Sequence, residues 1–211
     1  MDSENKPINE LKKHSRHRNA SDASIKKSGK GKLSTSLKEW IHDILIAVII
    51  VIVIMQFIKP TVVKETSMEP NFHSDDYVIV SKTSYMFGGK PARGDVIIFH
   101  SNLMTEDGKK KLLIKRVIGL PGDKILIRDG EVYINGKKDI QSYTSAGYTP
   151  GDTNIKVPKG KYFCMGDNRP NSIDSRKDIV GCVNENKLVG KAVFRLMPFK
   201  NFGPIRNPYR Q

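Results

Sequence analysis

An unbroken apolar run near the start of the chain dominates its hydrophobic pattern. Every residue from 44 to 55 is apolar, Trp40 and Ile41 extend the run upstream, and Lys59 stands at its far end. A bilayer core of about 30 Å needs about 20 such residues, which 40–59 supply. No small-residue cleavage site follows, so the run predicts an uncleaved transmembrane anchor rather than a removable leader. A buried core helix or strand is the alternative.

The pattern changes after residue 60 to short segments that alternate between apolar and polar positions. They are rich in β-branched residues, which indicates strands, and they cover 77–81, 95–99, 112–118, 124–128, 131–134, 161–165 and 191–196. Asp-Gly at 129–130 and Asn-Gly at 135–136 mark tight turns. We expect a turn-rich connection over 137–158 and a short helix within 180–188. Without alternating helices, the region 60–211 predicts a mostly antiparallel β domain.

The distribution of charge predicts a cytoplasmic tail before the anchor. The chain carries 36 Lys and Arg against 22 Asp and Glu, a formal charge of +14. Residues 1–39 contain few large apolar side chains, so they predict a disordered basic tail. Such a tail could attract nucleic acid or anionic lipid, but a solvated tail is the simpler interpretation. Its lysines place the N-terminus in the cytoplasm and 60–211 outside the membrane.

Metal and disulfide chemistry have little support in the sequence. The two cysteines, Cys164 and Cys182, and the five histidines are scattered singly, without zinc-site spacing. A Cys164–Cys182 disulfide is left open. His73 and His100 are the histidines outside the membrane that could meet a serine, but neither lies in a recognisable motif. A Ser-His-Asp triad is therefore the weaker interpretation of any serine chemistry.

Lys115 is the residue whose context most favours catalysis. Alternation along its strand places Lys115 on the same face as Leu113 and Val117. An ammonium group among apolar side chains is desolvated, which lowers its pKa. A neutral amine can act as the general base for a hydroxyl nucleophile.

Three strings together carry a specific resemblance, although each alone could be an ordinary turn or loop. They are 67–70 (SMEP), 115–123 (KRVIGLPGD) and 166–176 (GDNRPNSIDSR). In this order, with the 93–99 strand between the first two, they resemble bacterial type I signal peptidase, the membrane-bound Ser/Lys protease, in its compact Gram-positive form. The resemblance runs from the anchor to about Phe199.

The resemblance implies roles for individual residues. Ser67 is expected to be the nucleophile, Lys115 the general base, and Ser172 the hydroxyl that orients this lysine. Arg116 with Asp167, and Asp174 with Arg176, are expected to support the site. The substrate pockets are expected to be lined by Val63, Met68, Phe72, Val78 and Ile114.

The resemblance also implies a fold and an activity. The fold is a two-sheet, largely β catalytic domain with an apolar surface that rests on the bilayer. The expected reaction is endoproteolytic removal of N-terminal signal peptides from exported preproteins, after small residues, at the outer membrane face. The implied partners are preproteins, lipid bilayer and a nearby secretion translocon, with no nucleic acid, cofactor or metal.

Two positions depart from the family pattern. Asn71 stands where Thr is usual, and we expect it to change only local capping. Glu65 stands where Gly or Ser is usual, and it adjoins Lys64 at the mouth of a solvent-facing site. We expect its carboxylate to be ionised and turned outward. The oxyanion would then rest on the Ser67 N–H and a water or another main-chain donor.

Two other functions remain as alternatives. One is a cytoplasmic self-cleaving Ser/Lys regulator with a DNA-binding domain, which the anchor argues against. The other is a membrane-tethered adaptor or a catalytically dead relative, which the presence of Ser67, Lys115 and Ser172 together argues against.

Overall fold

The structure is a computed structural model that describes residues 31–86 and 88–210. Its first element is helix α1, Gly31–Phe57, so 31–39 of the predicted tail is helical and 1–30 lies outside the described residues. A helix lengthens at little cost once it has nucleated, and Leu33, Leu37 and Lys38 favour helix. The anchor therefore merges into a longer helix instead of starting at residue 40.

Within α1, Ser36–Phe57 is long and apolar enough to cross a membrane. At 1.5 Å per residue its 22 residues span roughly 33 Å, slightly more than the hydrocarbon core. The predicted anchor, 40–59, is wrong at its end, because Ile58 and Lys59 belong to strand β1. Pro60 lacks an N–H and disfavours helix in the residue before it, so the chain leaves the helix just before this position.

The residues after the helix form a β structure with two antiparallel sheets, as predicted. Its strands are β1 Ile58–Val62, β2 Tyr77–Ser81, β3 Val96–Met104, β4 Lys110–Gly119, β5 Lys124–Arg128, β6 Glu131–Ile134, β7 Lys137–Lys138, β8 Thr153–Lys156, β9 Lys161–Met165, β10 Val183–Asn184, β11 Leu188–Met197 and β12 Gly203–Pro204. The larger sheet has the order β1-β2-β11-β3-β4-β9-β10, with β12 beside β11. The smaller sheet has the order β7-β6-β5-β8.

Strand β4 occupies the middle of the larger sheet and reaches both halves of the core. It pairs with β3, where Ile97 faces Lys115, and with β9, where Met165 faces Arg116. Near its end, Ile118 packs with Ile125 and Ile127 of the smaller sheet. A central strand of this kind is buried on both faces along much of its length, so polar residues on it need partners.

The strand predictions are confirmed except where the segments are short or lie at a sheet edge. Strand β8 falls inside the connection predicted over 137–158, because four residues beside β5 give little periodic signal. Strand β1 was missed because its sequence continues the apolar run. The short helix predicted within 180–188 is a single 3-10 turn, Glu185–Lys187.

Candidate active site

A 3-10 turn just after β1 presents Ser67 to the centre of the larger sheet. The turn covers Thr66–Met68, and Ser67 within it is buried. Asn168 holds this turn at two points, since its backbone N–H donates to Ser67 O at 3.0 Å and its side-chain Nδ2 to Thr66 O at 3.1 Å. Sequence reasoning assigned Asn168 no role, although it lies inside the third string.

Lys115 meets Ser67 from the middle of β4. Its Nζ lies 2.6 Å from Ser67 Oγ, and the lysine side chain is almost completely buried. Leu113 and Val117 belong to one apolar cluster, which confirms the predicted apolar face. Burial lowers the pKa of Lys115, with nearby Asp174 and Glu65 opposing the shift. The side chain is therefore poised to exchange a proton with the serine hydroxyl.

No histidine approaches this serine among the residues that the structure describes. His73 and His100 are both exposed, and Ser67 Oγ is in hydrogen-bond contact with Lys115. The arrangement favours a Ser/Lys pair over a Ser-His-Asp triad. The described residues also contain no group of three His, Cys, Asp or Glu side chains that could hold a metal ion.

The neighbouring residue, Arg116, is buried on the other face of β4 and pairs with Asp167. Its Nε and Nη2 donate to the two carboxylate oxygens at 2.8 and 2.6 Å, which is a bidentate ion pair. Its Nη1 donates to Gly94 O at 2.9 Å, and its guanidinium carbon lies 4.6 Å from the centre of the Tyr143 ring. Burial alone would lower the pKa of Arg116, but the hydrogen bonds and charge of Asp167 raise it.

Asn71 does more than cap a turn, so the expectation for this position is wrong. Its Nδ2 donates to Asp167 Oδ2 at 2.9 Å and to Tyr143 O at 2.7 Å. The amide supplies a third donor to the carboxylate and ties the segment after Ser67 to it. The two residues are 96 positions apart in the chain, so no local pattern could have revealed this contact.

Asp174 and Arg176 form a second ion pair next to the serine turn. Arg176 Nε and Nη2 donate to Asp174 at 2.9 and 2.8 Å, and Gly166 N–H donates to Asp174 Oδ2 at 3.0 Å. Burial alone would raise the pKa of Asp174, but the hydrogen bonds and charge of Arg176 hold it below its usual value. A β-carbon at Gly166 would lie 2.4 Å from Ser67 O, so only glycine fits here.

Ser172 lies beside this glycine without the predicted contact to Lys115. A β-carbon on Gly166 would lie 2.3 Å from Ser172 Oγ, which places this hydroxyl close to the serine turn. The oxygen is buried, and the group it interacts with is the Asp174 carboxylate, whose pKa it helps to lower, rather than Lys115. The structure therefore brings Ser172 near the pair but does not join it to the lysine.

The predicted pocket residues are brought together, but as core. Val63, Met68, Phe72 and Val78 are buried in a single cluster, and Ile114 packs against them half-buried. The open space beside Ser67 is instead a cleft of about 340 Å³. It is lined by Lys64, Glu65, Thr66, Ser67, Leu103, Lys111, Leu113, Asn171 and Ile173.

Glu65 lies in this cleft and forms an ion pair with Lys111. Its side chain keeps about 38% of its accessible surface, so it does face solvent. The sequence did not predict its partner, Lys111, which lies on β4. The two cysteines, whose pairing was left open, are both free thiols, Cys164 buried and Cys182 half-buried.

Comparison with known proteins gives one consistent result. The family model described as signal peptidase, peptidase S26, matches residues 37–197. A Bacillus licheniformis protein named signal peptidase I is 37% identical over 78% of this chain and 90% of its own length. A Staphylococcus aureus protein named signal peptidase IB is 35% identical over 83% of this chain and 97% of its own. A solved signal peptidase I from Enterococcus faecalis is 35% identical, with a TM-score of 0.40 over 48% of this chain and 96% of that chain.

Proposed function

The chain belongs to the signal peptidase, peptidase S26, family, and we propose that Ser67 is its nucleophile and Lys115 its general base. It is a type I signal peptidase, a serine endopeptidase that removes N-terminal signal peptides from exported preproteins. The observation that carries the assignment is the 2.6 Å contact between Lys115 Nζ and Ser67 Oγ in a buried setting.

The first half of the reaction needs Lys115 as a neutral amine. Its Nζ takes the hydroxyl proton of Ser67 while Oγ bonds to the carbon of the scissile peptide, and the carbonyl electrons move onto its oxygen. The Ser67 N–H is the expected donor to this oxyanion, together with a water or a second main-chain donor. The desolvation that lowers the pKa of Lys115 raises the fraction of neutral amine available for this step.

The second half returns the proton and releases both products. The tetrahedral intermediate collapses, the C–N bond breaks, and the Lys115 ammonium protonates the departing amine of the mature protein. The signal peptide is then held as an ester on Ser67. Lys115, neutral again, takes a proton from the water that attacks the ester carbon. Its ammonium returns this proton to Ser67 Oγ as the ester C–O bond breaks, which regenerates the serine and releases the signal peptide with a free carboxyl group.

Ser67→Ala is the direct test of this assignment. Full-length enzyme in detergent is mixed with one signal-bearing precursor, and site-specific cleavage is followed for wild type and variant. We expect Ser67→Ala to lose site-specific cleavage. Ser74→Ala, a nearby exposed serine, is the matched control and should remain active. Undiminished cleavage by Ser67→Ala would refute the nucleophile.

We propose that the two ion pairs support the site from behind. Arg116 with Asp167 lies under the Asn168 backbone that holds Ser67 O, and Asp174 receives the N–H of Gly166 beside the same carbonyl. Ser172 stays assigned to the orientation of Lys115, because its buried hydroxyl lies beside Gly166 and the serine turn. None of these groups needs to touch the substrate.

We propose that substrate choice follows from the bulk packed under the nucleophile. Val63, Met68, Phe72 and Val78 fill the space behind the serine turn, and Ile114 is half-buried against them. Only small substrate side chains would fit against this packed surface. Cleavage of a precursor series with Ala, Leu or Phe before the cut tests this, and efficient cleavage after Phe would contradict it.

We propose that α1 anchors the chain with its N-terminus in the cytoplasm and the β region, 60–211, outside. An exposed apolar patch near β1 suits contact with the bilayer. It consists of Tyr77 on β2, which pairs with β1, Met197 on β11, which pairs with β2, and Phe199 and Phe202 in the segment after β11. A preprotein emerging from a secretion translocon would meet the enzyme at this face.

Labelling from outside intact cells tests this orientation. In a Cys182→Ala background, a cysteine introduced at Ser145 should react with an impermeant thiol reagent. A cysteine introduced at Ala20 should not react. The reverse pattern would place the catalytic region inside the cell.

A further inference from the structure

The segment 207–209, after the last strand, is fastened to the body of the β structure by polar side chains. Asn207 Nδ2 donates to Arg93 O and to Asp95 Oδ1, each at 2.9 Å. Tyr209 OH donates to Asp139 Oδ2 at 2.5 Å and lies 3.2 Å from Tyr143 OH. These contacts join 207–209 to two parts of the fold, the segment just before β3 and the connection after β7.

Two of the groups that this segment touches also hold Arg116. The Gly94 carbonyl receives Arg116 Nη1, and Gly94 lies between Arg93 and Asp95, the two anchor points of Asn207. The Tyr143 ring covers the Arg116 guanidinium, and Tyr209 packs against that ring with centroids 6.2 Å apart. The Gly94 carbonyl and the Tyr143 ring, which both contact Arg116, are thus braced by 207–209.

Gly94 shows how closely the segment is seated. Its φ is +85°, in the left-handed region that favours glycine. A β-carbon at this position would lie 2.2 Å from Asn207 Oδ1 and 2.5 Å from Tyr209 Cδ2. Side-chain atoms of the segment therefore occupy the space in which an ordinary residue would place its side chain.

The family match ends at residue 197, before this segment begins. We propose that Asn207 and Tyr209 are positioning residues that act through Arg116 to hold the Asp167–Asn168 corner, and with it the Ser67 turn, in reactive geometry. The inference rests on the proposed function, because it takes Ser67 as the nucleophile. It concerns the rate of the chemical step and not the capture of the preprotein.

The path from the segment to the nucleophile is short. Arg116 fixes Asp167 through two hydrogen bonds, and the next residue, Asn168, donates to Thr66 O and Ser67 O. If Arg116 shifts, the carboxylate follows it and the clamp on the serine turn loosens. An error of about 1 Å in such a group can cost up to about a hundredfold in rate.

The test compares Tyr209→Ala, Tyr209→Phe and a chain that stops after Arg206, with Arg210→Ala as the exposed control in the same segment. Kinetics on one precursor should show kcat lowered about tenfold or more by Tyr209→Ala and by the shortened chain, with KM within about twofold. Tyr209→Phe should retain more activity than Tyr209→Ala, because it keeps the ring against Tyr143. Arg210→Ala should match wild type.

A double-mutant cycle separates positioning from a general loss of structure. In an Arg116→Lys background, which removes the bidentate pair, Tyr209→Ala should lower kcat less than twofold, because its route of action is already broken. A loss of equal size in both backgrounds would overturn the proposal, as would a change confined to KM. If circular dichroism shows that the shortened chain does not fold, the Tyr209 variants still test the proposal. The Ser67→Ala assay is independent of these outcomes, so a failed positioning test leaves the nucleophile assignment intact, whereas cleavage by Ser67→Ala would overturn both claims.

Discussion

Lys115 and Arg116 are consecutive residues on β4, both buried, and their surroundings shift their pKa values in opposite directions. Their exposed fractions are 1% and 3%, and they lie on opposite faces of the larger sheet. Lys115 meets a hydroxyl, and burial lowers its pKa toward the neutral amine. Arg116 meets a carboxylate, a carbonyl and an aromatic ring, and it stays a cation.

The difference lies in the partners rather than in the depth of burial. A buried cation persists only where an opposite charge and hydrogen bonds offset its lost hydration. The Arg116 face supplies a bidentate carboxylate, so this side of the strand is a rigid charged support. The Lys115 face supplies the Ser67 hydroxyl among apolar side chains, which is the setting that the proposed general base needs. Under the proposed mechanism, one strand provides both the base and its support.

Lys115→Arg should have the largest effect on this contrast. Guanidinium does not deprotonate in this range, so the variant carries a charge on the face that needs a neutral base. We expect about a thousandfold loss of kcat, within the usual range for removal of a general base. Precursor cleavage in detergent measures it, with Lys110→Arg, exposed and five residues away at the start of β4, as the control. An active Lys115→Arg enzyme would disprove the mechanism.

Asp167→Asn should have the second largest effect, because it removes the ion pair of Arg116 and so lowers the stability of the protein. It leaves the Arg116 cation buried with neutral partners only, which costs about 3–5 kcal/mol of unfolding free energy. Thermal or denaturant unfolding in detergent measures the loss. Asp129→Asn, which removes one partner of an exposed ion pair with Arg128, is the control and should leave stability unchanged. Equal stability of the two variants would show that the Arg116 pair is not a support.

The pH–rate profile should distinguish the roles of the two faces of β4. The active form carries a neutral Lys115, so kcat/KM should rise tenfold per pH unit up to the pKa of this amine and then level off. Because burial lowers that pKa, the midpoint should lie below the ordinary lysine value of 10.5. In Arg116→Lys, kcat/KM should fall while the midpoint of its pH dependence stays at the wild-type value. A wild-type limb centred at or above 10.5 would contradict a neutral base.

The smallest effects should come from Glu65 and Lys111, the ion pair in the cleft. After burial, their charges act on the pKa of Lys115 in opposite directions, Glu65 raising it and Lys111 lowering it. Glu65→Ala should therefore shift the acidic limb to lower pH and Lys111→Ala to higher pH, with maximal rates within about threefold of wild type. Glu65→Ser should raise the rate by adding a hydroxyl near the oxyanion. A hundredfold loss in folded Glu65→Ala would give Glu65 a catalytic role.

Much of the fold and the reactive pair could be read from local patterns. Strand-length alternation reports which face of a segment is buried, and this alone predicted that Lys115 lies among apolar side chains. The order of the three strings, through the family resemblance, pointed to Ser67, Arg116, Asp167 and Ser172. The edge strands β1 and β8 escaped because one continues an apolar run and the other is too short to show a period.

The sequence by itself determined the segments, their order and the side of each strand that avoids water, because these depend on residues close together in the chain. Tertiary structure alone decided which distant side chains meet. It placed Asn71 on Asp167, Lys111 on Glu65 and Tyr209 behind Arg116, and it turned Met68 and Phe72 into core. Such contacts depend on strand register and on the packing of loops against the sheet, since a displacement of one residue would exchange every partner.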